Sequence, residues 1–390
     1  MSEILVVGAG PTGLVLANDL QRKGVPYRLV EKAPGPAEHS RAFGIQAGAL
    51  AALADALGPE VADELVSAGL RVTQVVAHLD DRPPFPVQLE LEAQYPFILM
   101  LPQNETERIL RDALARAGGR VEWATPLESL EPEGDRLRCR VGEKDVRYAW
   151  VAGCDGAHST VRHCLGVRFE GEPYVGDFTM ADVDVGWSHA PGVVHTFVNE
   201  RGAAAVFPFR GARCRVFVIK RNPAPEDAPV DEADFVAAAR SIVGEEISLG
   251  PWRWLTRFRL HHRLAASWRT GRAFLLGDAA HIHSPVGGQG MNLGMQDALV
   301  LGHMLTAAVA KPIDLDLYQR ERKPEAVRVV RGTDLVFRQA LGRSSFLSRA
   351  LRRHLAPVLL RSDLVRRRGA RQIAQLAMSE RVIAFRRRAL

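Results

Sequence analysis

The sequence contains few cysteines for its length. Four of the 390 residues are cysteine, and none forms a C-x-x-C pair or shares metal-ligand spacing with a histidine. A disulfide framework or a zinc-finger site would require closely spaced thiols. We therefore expect reduced thiols and a cytoplasmic location. The four are Cys139, Cys154, Cys164 and Cys214.

Targeting and membrane signals are also lacking. The opening residues, MSEILVVGAG, are typical of a strand entering a turn, and they lack the basic region and cleavage site of a signal peptide. No apolar run approaches the roughly 18 residues that span a bilayer. The 47% of hydrophobic residues and the mixed charge indicate a folded protein with an ample core. The length favours two domains over one.

Negative charge is scarce near the end of the chain. Residues 320–390 contain 19 Lys and Arg against 5 Asp and Glu, whereas residues 1–319 contain 32 against 40. This basic segment also has a row of leucines and three arginine clusters: Leu347, Leu351, Leu355 and Leu359, then Arg352-Arg353, Arg366-Arg367-Arg368 and Arg386-Arg387-Arg388. We favour an amphipathic helical pair that covers the rest of the protein and leaves a solvated basic face. Attachment to an anionic membrane or an acidic carrier protein is the alternative.

Residues 3–31 form a β–α–β unit. The apolar strand EILVVGAG leads into the helix PTGLVLANDLQRKG, and the second strand, PYRLVEK, ends in an acid and a base. The pattern G-x-G-x-x-G falls on Gly8, Gly10 and Gly13, and Glu31 follows eighteen residues later. This pattern predicts a dinucleotide-binding turn that brings a pyrophosphate to a helix N-terminus and a ribose to the acid. Three neighbours join the predicted site: Pro11, Thr12 and Lys32.

Two later stretches distinguish FAD from NAD. WVAGCDGAHSTVRHCLG at 150–166 is a strand end followed by Asp-Gly, and GDAAHIHSPVGGQGMNLGMQDALVLG at 277–302 is a glycine-rich loop that enters an apolar helix. Together with the first motif and YQRERKPEAVRV at 318–329, they resemble the flavin-dependent aromatic hydroxylases. These are the p-hydroxybenzoate hydroxylase-like group A monooxygenases, here of the polyketide-tailoring type. The resemblance covers most of residues 1–335.

The resemblance implies that further residues contact FAD. Arg41 is expected near the flavin and the pyrophosphate, and Gln103 beside the cofactor. Asp155 and Gly156 are associated with FAD and the reduced nicotinamide, and Asp278 contacts the ribityl chain. The loop against the isoalloxazine ring consists of Pro285, Gly287, Gly288, Gly290, Met291 and Asn292. The residues expected closest to the reaction are Arg41, Pro285 and Gly287.

The glycine-rich loop has a physical explanation in this context. A flat ring that lies on bare backbone favours glycine, which has no Cβ. The helix predicted over 291–305 directs its free N–H groups at the edge of the flavin that carries negative charge when reduced. His281 and His283 form an H-x-H pair in this motif, but no Cys or acid has ligand spacing to them. We therefore expect no metal site.

The order of elements predicts an α/β protein with two interleaved domains. A Rossmann-like FAD-binding domain is expected from residues 1–71, 101–175 and 263–335. A β-rich substrate-binding domain is expected from residues 72–100 and 176–262. A basic helical segment, 336–390, follows where many members of the resembled family carry a thioredoxin-like domain, so we expect that domain to be absent.

The resemblance also implies a reaction. NADPH or NADH reduces FAD, O2 adds to give a flavin C4a-hydroperoxide, and its distal oxygen passes to an aromatic or polycyclic substrate. A single Rossmann fingerprint implies no separate NAD(P)H domain. Phe207, Pro208 and Phe209 are candidates for the substrate pocket, with burial in the core as an equal alternative. We name no general base, and candidates by residue type alone are His195, His261 and His262.

Other functions stay open at this point. A flavin halogenase shares the first motif, and PWRWLTRF at 251–258 contains W-x-W, but the expected Ile-Pro does not follow and no matching catalytic Lys is evident. An epoxidase or reductase acting on polyprenyl lipids would suit the basic segment. A non-catalytic flavin-binding partner protein is the third alternative. We expect no nucleic-acid partner, and the sequence does not set the oligomeric state.

Overall fold

The protein has a mixed α/β structure with a helical C-terminal region, which confirms the predicted fold class. The computed structural model describes residues 3–38, 40, 42–80, 82–222, 225, 228–244, 247–285, 287–341 and 363–390. The helices, α1 to α10 in chain order, are Pro11–Arg22, Ala47–Leu57, Pro59–Ala68, Gln103–Arg116, Thr160–Cys164, Glu232–Val243, Gly290–Ala310, Leu317–Leu341, Asp363–Ile373 and Leu376–Arg386. All four cysteines are free thiols, as expected.

A six-stranded sheet brings together distant parts of the chain. With strands numbered in chain order, its spatial order is β20 (Arg269–Thr270), β21 (Ala273–Leu275), β12 (Trp150–Gly153), β1 (Ile4–Val7), β2 (Tyr27–Val30) and β8 (Val121–Glu122). All pairs are parallel except β20 with β21. The sequence ILVV of β1 is buried at every position, as expected for a parallel strand covered on both faces. The largest hydrophobic core surrounds this sheet.

A seven-stranded sheet forms the second main unit. Its spatial order is β18 (Ser248–Phe258), β14 (Asp177–Gly186), β17 (Arg213–Lys220), β16 (Gly202–Pro208), β15 (Val194–Val198), β5 (Gln74–Leu79) and β6 (Phe85–Gln88). Val216 and Val218 pack in one core with Phe235 of α6. Because side chains alternate along a strand, Phe217 points to the opposite face. One face of the sheet is therefore covered by α6, and the other faces the cavity described below.

Three small sheets complete the strands of the described residues. They are β11 (Lys144–Tyr148), β10 (Arg136–Val141) and β9 (Leu127–Glu133); β13 (Phe169–Pro173), β19 (His261–Ala265) and β22 (His281–Ile282); and β3 (Phe43–Ile45), β7 (Ile98–Pro102) and β4 (Leu70–Val72). β7 pairs with β3 and β4 and not with the large sheet. The exact domain boundaries stay a prediction.

A buried ionic network joins α7, α8 and β22. Asp297 Oδ1 accepts a hydrogen bond from Arg322 Nε at 2.7 Å, and its Oδ2 lies 2.7 Å from His281 Nε2. Burial opposes ionisation of Asp297, but Arg322 and His281 outweigh it and hold the pKa of that carboxyl below its ordinary value. His281 therefore has an acidic partner that its sequence spacing did not reveal, and the pair serves packing between elements.

Helix α7 corrects the expectation about apolar runs. It is long and apolar enough to cross a membrane by length and composition alone, although 67% of its apolar window is buried inside the protein. It packs against α1, α2 and α10. A mostly buried core helix passes the same compositional test, so this property is weak evidence for a membrane span.

The basic C-terminal segment packs against α1, α2 and α7. Arg386 donates hydrogen bonds to Asp19 Oδ1 at 2.9 Å and to the Leu299 carbonyl oxygen at 3.0 Å. Arg387 pairs with Asp55 at 3.0 Å. These contacts agree with the packing role that we favoured for the segment. Several predicted features lie outside the described residues: Leu347, Leu351, Arg352, Arg353, Leu355 and Leu359.

Candidate active site

Four parallel strands end at one edge of the six-stranded sheet. β2, β1, β12 and β21 are neighbours in that order, so the residues after each strand lie side by side. Glu31 follows β2 directly, and Gly8 follows β1. Asp155 lies two residues beyond β12, and Asp278 lies in a single 3₁₀ turn after β21. The three motifs, which are far apart in the sequence, therefore meet at one crevice.

The glycines of the first turn have different reasons to lack a side chain. Gly8 has a φ of +101°, and a Cβ there would lie 2.4 Å from the Cys154 carbonyl oxygen. A Cβ on Gly13 would lie 1.9 Å from the Gly8 carbonyl oxygen. At Gly10, no atom of the described residues other than its chain neighbours lies within 4 Å of the Cβ position. That open side fits a pyrophosphate at the start of α1, where Pro11 occupies the first turn.

Glu31 is held beside this turn by backbone amides. Its Oε2 accepts a hydrogen bond from the Ala9 N–H at 2.9 Å, and its Oε1 accepts one from the Ala33 N–H at 3.0 Å. Each carboxylate oxygen keeps a further lone pair that suits a ribose hydroxyl. The side chain of the adjacent Lys32 is exposed. The residues present therefore fit the adenosine half of a dinucleotide.

Thr12 links the first motif to the third. Its hydroxyl lies 2.6 Å from the position that a Cβ would take on Gly277, and 2.5 Å from that of a Cβ on Gly294. Either side chain would therefore push α1 away from the 3₁₀ turn or from α7. These two glycines serve the close packing of the motifs.

Asp155 organises the turn after β12. Its Oδ1 accepts a hydrogen bond from Ser159 Oγ at 2.6 Å, and its Oδ2 accepts one from the Val161 N–H at 3.1 Å. Burial raises the pKa of the Asp155 carboxyl, and these hydrogen bonds oppose the rise. The next residue, Gly156, has a φ of +75°, in the left-handed region that favours glycine. The carboxylate thus fixes the turn that leads to Ala157 at the cavity wall.

Asp278 opens onto the cavity. Its side chain is exposed there, and no described protein group donates a hydrogen bond to it. Protein atoms nevertheless surround the carboxyl, and this burial raises its pKa, with a smaller opposing effect of His281. A partly desolvated carboxylate without a protein donor suits hydrogen bonds from the ribityl hydroxyls of a flavin.

The loop before α7 presents backbone to the cavity. Gly287 and Gly288 have φ values of +79° and +58°, a conformation that favours glycine. The first intrahelical bond of α7 runs from the Leu293 N–H to the Gln289 carbonyl oxygen. The three preceding N–H groups therefore have no acceptor within the helix and can bind negative charge. They belong to Gly290, Met291 and Asn292.

Both polar atoms of the Asn292 side chain form hydrogen bonds within the protein. Its Oδ1 accepts a hydrogen bond from the Gln46 N–H at 2.8 Å. Its Nδ2 donates to the carbonyl oxygens of Gly44 at 3.0 Å and Gly288 at 2.8 Å. Asn292 is fully buried. Its backbone N–H is thus the group placed to contact a cofactor, while its side chain holds the loop in shape.

Gln103 and Arg41 were both expected beside the cofactor, and the structure describes only Gln103. Gln103 begins α4, and its Nε2 donates a hydrogen bond to Glu107 Oε1 at 2.7 Å. Burial raises the pKa of Glu107, and the hydrogen bond from Gln103 partly opposes this rise. The Gln103 N–H also bonds to the Ala42 carbonyl oxygen at 3.2 Å. Arg41 lies outside the described residues.

A cavity of about 740 Å³ lies between the 3₁₀ turn, the start of α7 and the seven-stranded sheet. Its lining toward the crevice includes Asp278, Pro285, Gly288, Gly290 and Met291. Its apolar lining includes Phe43, Phe169, Phe178, Phe217, Phe258 and Leu260. The charged residues in the lining are Arg162, Arg257, Arg259, Arg263, Asp177 and Asp278. The same cavity therefore contains the cofactor motifs and flat apolar surfaces, which we call the aromatic wall.

The predicted pocket residues Phe207, Pro208 and Phe209 do not line this cavity. The ring centres of Phe207 and Phe209 lie 4.6 and 6.1 Å from that of Phe43, which does line it. Phe43 thus covers this end of β16. Pro208 and Phe209 are buried and Phe207 is half-buried, whereas Phe217 of β17 lines the cavity. A role of the three residues in substrate binding stays a prediction.

The histidines named as candidate bases occupy different places. His261 lines the cavity, whereas the ring of His262 packs on Tyr174 at 5.1 Å between ring centres. His195 is buried in another cluster, and burial is the main cause that lowers its pKa to about 4. His283, which we had considered only as a metal ligand, lines the cavity, and burial lowers its pKa to about 4.

Arg215 is a supporting residue that the sequence did not reveal. It is fully buried, and its Nε donates a hydrogen bond to Asp182 Oδ1 at 2.6 Å. Its Nη1 bonds to the Ala42 carbonyl oxygen at 3.1 Å, and its guanidinium lies 5.3 Å from the Phe43 ring centre. The Arg215–Asp182 pair therefore fixes the segment of Ala42 and Phe43, which lines the cavity. No short-range pattern in the sequence connects residue 42 with residue 215.

Known proteins share this arrangement over most of the chain. The family model described as FAD binding domain matches residues 1–333. Pentachlorophenol 4-monooxygenase from Sphingobium chlorophenolicum is 34% identical over 375 residues, which cover 91% of this chain and 68% of that relative. The similarity therefore includes all three motifs and both main sheets.

Two solved structures resemble the protein in fold. Anhydrotetracycline hydroxylase from Streptomyces rimosus is 29% identical, with a TM-score of 0.77 over 96% of this chain and 76% of that chain. A Diels-Alderase of pyrroindomycin biosynthesis is 27% identical, with a TM-score of 0.81 over 95% of this chain and 80% of that chain. Since the two names denote different reactions, the fold alone does not define the chemistry.

Proposed function

Because this chain belongs to the FAD binding domain family and is an FAD-dependent monooxygenase, we propose that its cavity binds an aromatic or polycyclic substrate and that the enzyme hydroxylates it. FAD is the cofactor, with NADPH or NADH and O2 as co-substrates. The observation that carries the proposal is that the glycine-rich loop and the aromatic wall face one cavity. When bound, FAD takes a hydride from the nicotinamide, activates O2 and supplies one oxygen atom to the substrate.

The residues of the crevice have distinct roles in this proposal. The start of α1 and Glu31 bind the ADP half, and Asp278 accepts hydrogen bonds from the ribityl chain. The N–H groups of Gly290 and Met291 stabilise negative charge at the ring edge, since a helix N-terminus carries partial positive charge. The contact of Arg41 with the flavin stays a prediction, because Arg41 lies outside the described residues.

The aromatic wall of the cavity orients the substrate and excludes water. Phe178, Phe217 and Phe258 lie on this wall and provide flat apolar surface. Exclusion of water protects reactive oxygen chemistry from hydrolysis. Four arginines against two aspartates in the cavity lining favour a substrate with a phenolate or carboxylate group. A polyketide-like phenol fits this description, and a neutral methyl ether of the same compound should be a poorer substrate.

The test uses the full-length protein reconstituted with FAD. Aromatic phenols and acids are screened for faster NAD(P)H consumption coupled to an oxygenated product. Phe217→Leu should raise KM and divert more turnover to hydrogen peroxide, because Phe217 lines the cavity. Phe207→Leu is the matched control and should change KM less. Bound FAD without substrate-stimulated NAD(P)H oxidation would contradict the proposal and favour a non-catalytic flavin-binding role.

The remaining alternatives predict other products and partners. A halogenase requires chloride in its product, and an epoxidase acts on an alkene. Contact of the basic segment with an anionic membrane or an acidic carrier is the secondary possibility, and a cytoplasmic location stays a prediction. Co-sedimentation with anionic vesicles at low salt tests the membrane contact. Arg386 is engaged with Asp19, so any such contact must use other arginines.

A further inference from the structure

Three histidines from separate parts of the chain meet on the seven-stranded sheet. His78 lies on β5 and His195 on β15, while His189 lies in the segment between β14 and β15. Their possible ligand nitrogens all lie within 4.8 Å of one another, and His78 Nε2 is 3.1 Å from His195 Nδ1. The sequence predicted no metal site, and that expectation considered only the cysteines and the His281–His283 pair.

Strand register explains why two of the histidines share a face. β5 and β15 are parallel, and His78 lies opposite Phe197, which is two residues after His195. Because side chains alternate with a period of two, His195 and Phe197 point the same way, and so does His78. The two histidines are therefore diagonal neighbours, and the segment that contains His189 crosses over them.

The cluster lies on the face away from the cavity. His195 pairs with Val206, and Val206 pairs with Val216. Val216 packs in the core beneath α6, while the adjacent Phe217 lines the cavity. The three histidines thus share the α6 face of the sheet, and the thickness of the sheet separates them from the cofactor crevice.

We propose that His78, His189 and His195 form a binding site for a divalent transition metal, with Zn²⁺ as the best match. Three imidazoles and a solvent molecule make a common tetrahedral set for Zn²⁺. Ligands at about 2.0–2.1 Å from the ion lie about 3.3 Å from one another in a tetrahedron. The His78–His195 pair already has this spacing, and a small movement of His189 completes it. His195 Nε2 is buried without a hydrogen-bond partner among the described residues, so His78 at Nδ1 is the polar neighbour that holds this ring.

Exposure and ring packing support a site with one ligand position open to solvent. His195 is buried, whereas His78 and His189 are half-buried, which leaves room for solvent as the fourth ligand. Trp187 packs edge-on against His189 and His195 at 4.7 and 4.9 Å between ring centres. The ion would tie the segment containing Trp187 and His189 to β5 and β15. This role predicts a higher Tm with metal, because a ligand that binds only the folded state stabilises it.

The experiment uses the full-length FAD-bound protein after treatment with a chelator. Zn²⁺ is titrated by calorimetry, and Co²⁺ by its visible absorption, which reports tetrahedral nitrogen ligands. We expect one Zn²⁺ per chain, a rise in Tm, and no comparable binding of Mg²⁺, which prefers oxygen ligands. His189→Asn should weaken Zn²⁺ binding at least tenfold and abolish the Tm rise. His303→Asn is the matched control, since His303 is half-buried outside both sites, and it should bind Zn²⁺ as the wild type does.

Flavin absorption checks that each variant is folded and loaded with FAD. It should not change in His189→Asn, because the sheet separates the cluster from the crevice. If that variant loses FAD, His78→Asn serves as the second test. Equal Zn²⁺ binding by wild type and His189→Asn, or no Zn²⁺ binding by the wild type, would overturn the proposal. The histidines would then form only an aromatic packing cluster.

Discussion

Asn292 at the start of α7 accepts a hydrogen bond from the backbone N–H of Gln46 at 2.8 Å, although 246 residues separate them in the sequence. Gln46 in turn donates from its Nε2 to the Gly287 carbonyl oxygen at 2.7 Å. The two residues thus hold the glycine-rich loop between β3 and α7. The shape of the proposed flavin contact depends on this pair of bonds.

Asn292→Ala should destabilise the protein and weaken FAD binding. The change leaves the Gln46 N–H and the carbonyl oxygens of Gly44 and Gly288 without their partner in a buried place. We expect a loss of about 2–4 kcal/mol in the free energy of unfolding. Urea denaturation of the apoprotein and an FAD titration measure the two effects. The exposed Gln94→Ala is the control, and an Asn292→Ala variant as stable as this control would show that the bonds are dispensable.

Gly10→Ala and Gly13→Ala should fail in different ways. The Gly13 side chain would meet the Gly8 carbonyl oxygen at 1.9 Å, so this variant should lose stability even without FAD. The Gly10 side chain meets no atom of the described residues within 4 Å other than its chain neighbours, and its φ of −72° suits alanine. Gly10→Ala should therefore fold normally but bind FAD at least tenfold more weakly, a cost of about 1.4 kcal/mol or more.

Thermal unfolding of the apoproteins and FAD titration separate these two outcomes. Gly369→Ala provides the control, because a Cβ at this position also meets no atom of the described residues within 4 Å. It should leave FAD binding unchanged. If Gly10→Ala binds FAD as tightly as the wild type, the pyrophosphate does not lie on the open side of that glycine.

Asp278→Asn should make the apoprotein more stable at neutral pH and FAD binding weaker. Burial raises the pKa of the Asp278 carboxyl in the folded state, so the folded protein holds this proton more tightly than the unfolded chain does. The free energy of unfolding therefore falls as pH rises from the ordinary aspartate pKa through the raised one. Asparagine does not ionise, so the variant should not show this fall in the free energy of unfolding.

Urea denaturation of wild-type and Asp278→Asn apoproteins at several pH values measures the effect. The free energies of unfolding of the two proteins should differ least at the acidic end of the pH range and most above the raised pKa. FAD titration at neutral pH should show weaker binding by the variant, because a carboxylate acceptor has been lost. A difference in stability that is independent of pH would rule out titration of Asp278 as its cause.

Arg386→Met should cost far more stability than Arg387→Met. The Arg386 side chain is only 9% exposed and its partner Asp19 is fully buried, so the change leaves a buried carboxylate with one fewer partner. Because Lys23 still pairs with Asp19 at 2.7 Å, we expect a loss of about 1.5–3 kcal/mol, as for other hydrogen bonds to a charged group. Arg387 is 73% exposed where it pairs with Asp55, and such pairs contribute less than about 1 kcal/mol. Denaturation at low and high salt measures both, and equal losses would contradict this assignment.

The first motif could be predicted from the sequence because its physics is local. The strand, the glycine turn, α1 and Glu31 occupy one continuous stretch, and steric fit at Gly8 and Gly13 depends on neighbours in the chain or on an adjacent strand. The loop before α7 was recognisable for the same reason, since several glycines precede an apolar helix. The helix itself begins at Gly290, one residue before the predicted start.

The aromatic lining of the cavity could not be predicted in this way. The family resemblance of AAAVFPFRG at 203–211 suggested Phe207, Pro208 and Phe209, but which aromatic ring reaches the cavity depends on the segment that covers the strand. Phe43, held by Arg215 from another part of the chain, covers both phenylalanine rings. Sequence alternation defines the face of a strand, whereas tertiary packing decides which residues on that face stay open.

The sequence by itself determined the cofactor class, the order of the motifs and the basic character of the C-terminal segment, because each depends on residues that are close in the chain. Only the tertiary structure decided the acidic partner of His281, the role of the Asn292 side chain and the meeting of His78, His189 and His195. The Asn292–Gln46 and His78–His195 contacts join groups more than a hundred residues apart, whereas Asp297 of α7 meets His281 although only 16 positions separate them. Strand register and helix packing decide these contacts, and neither leaves a periodic signal in the sequence.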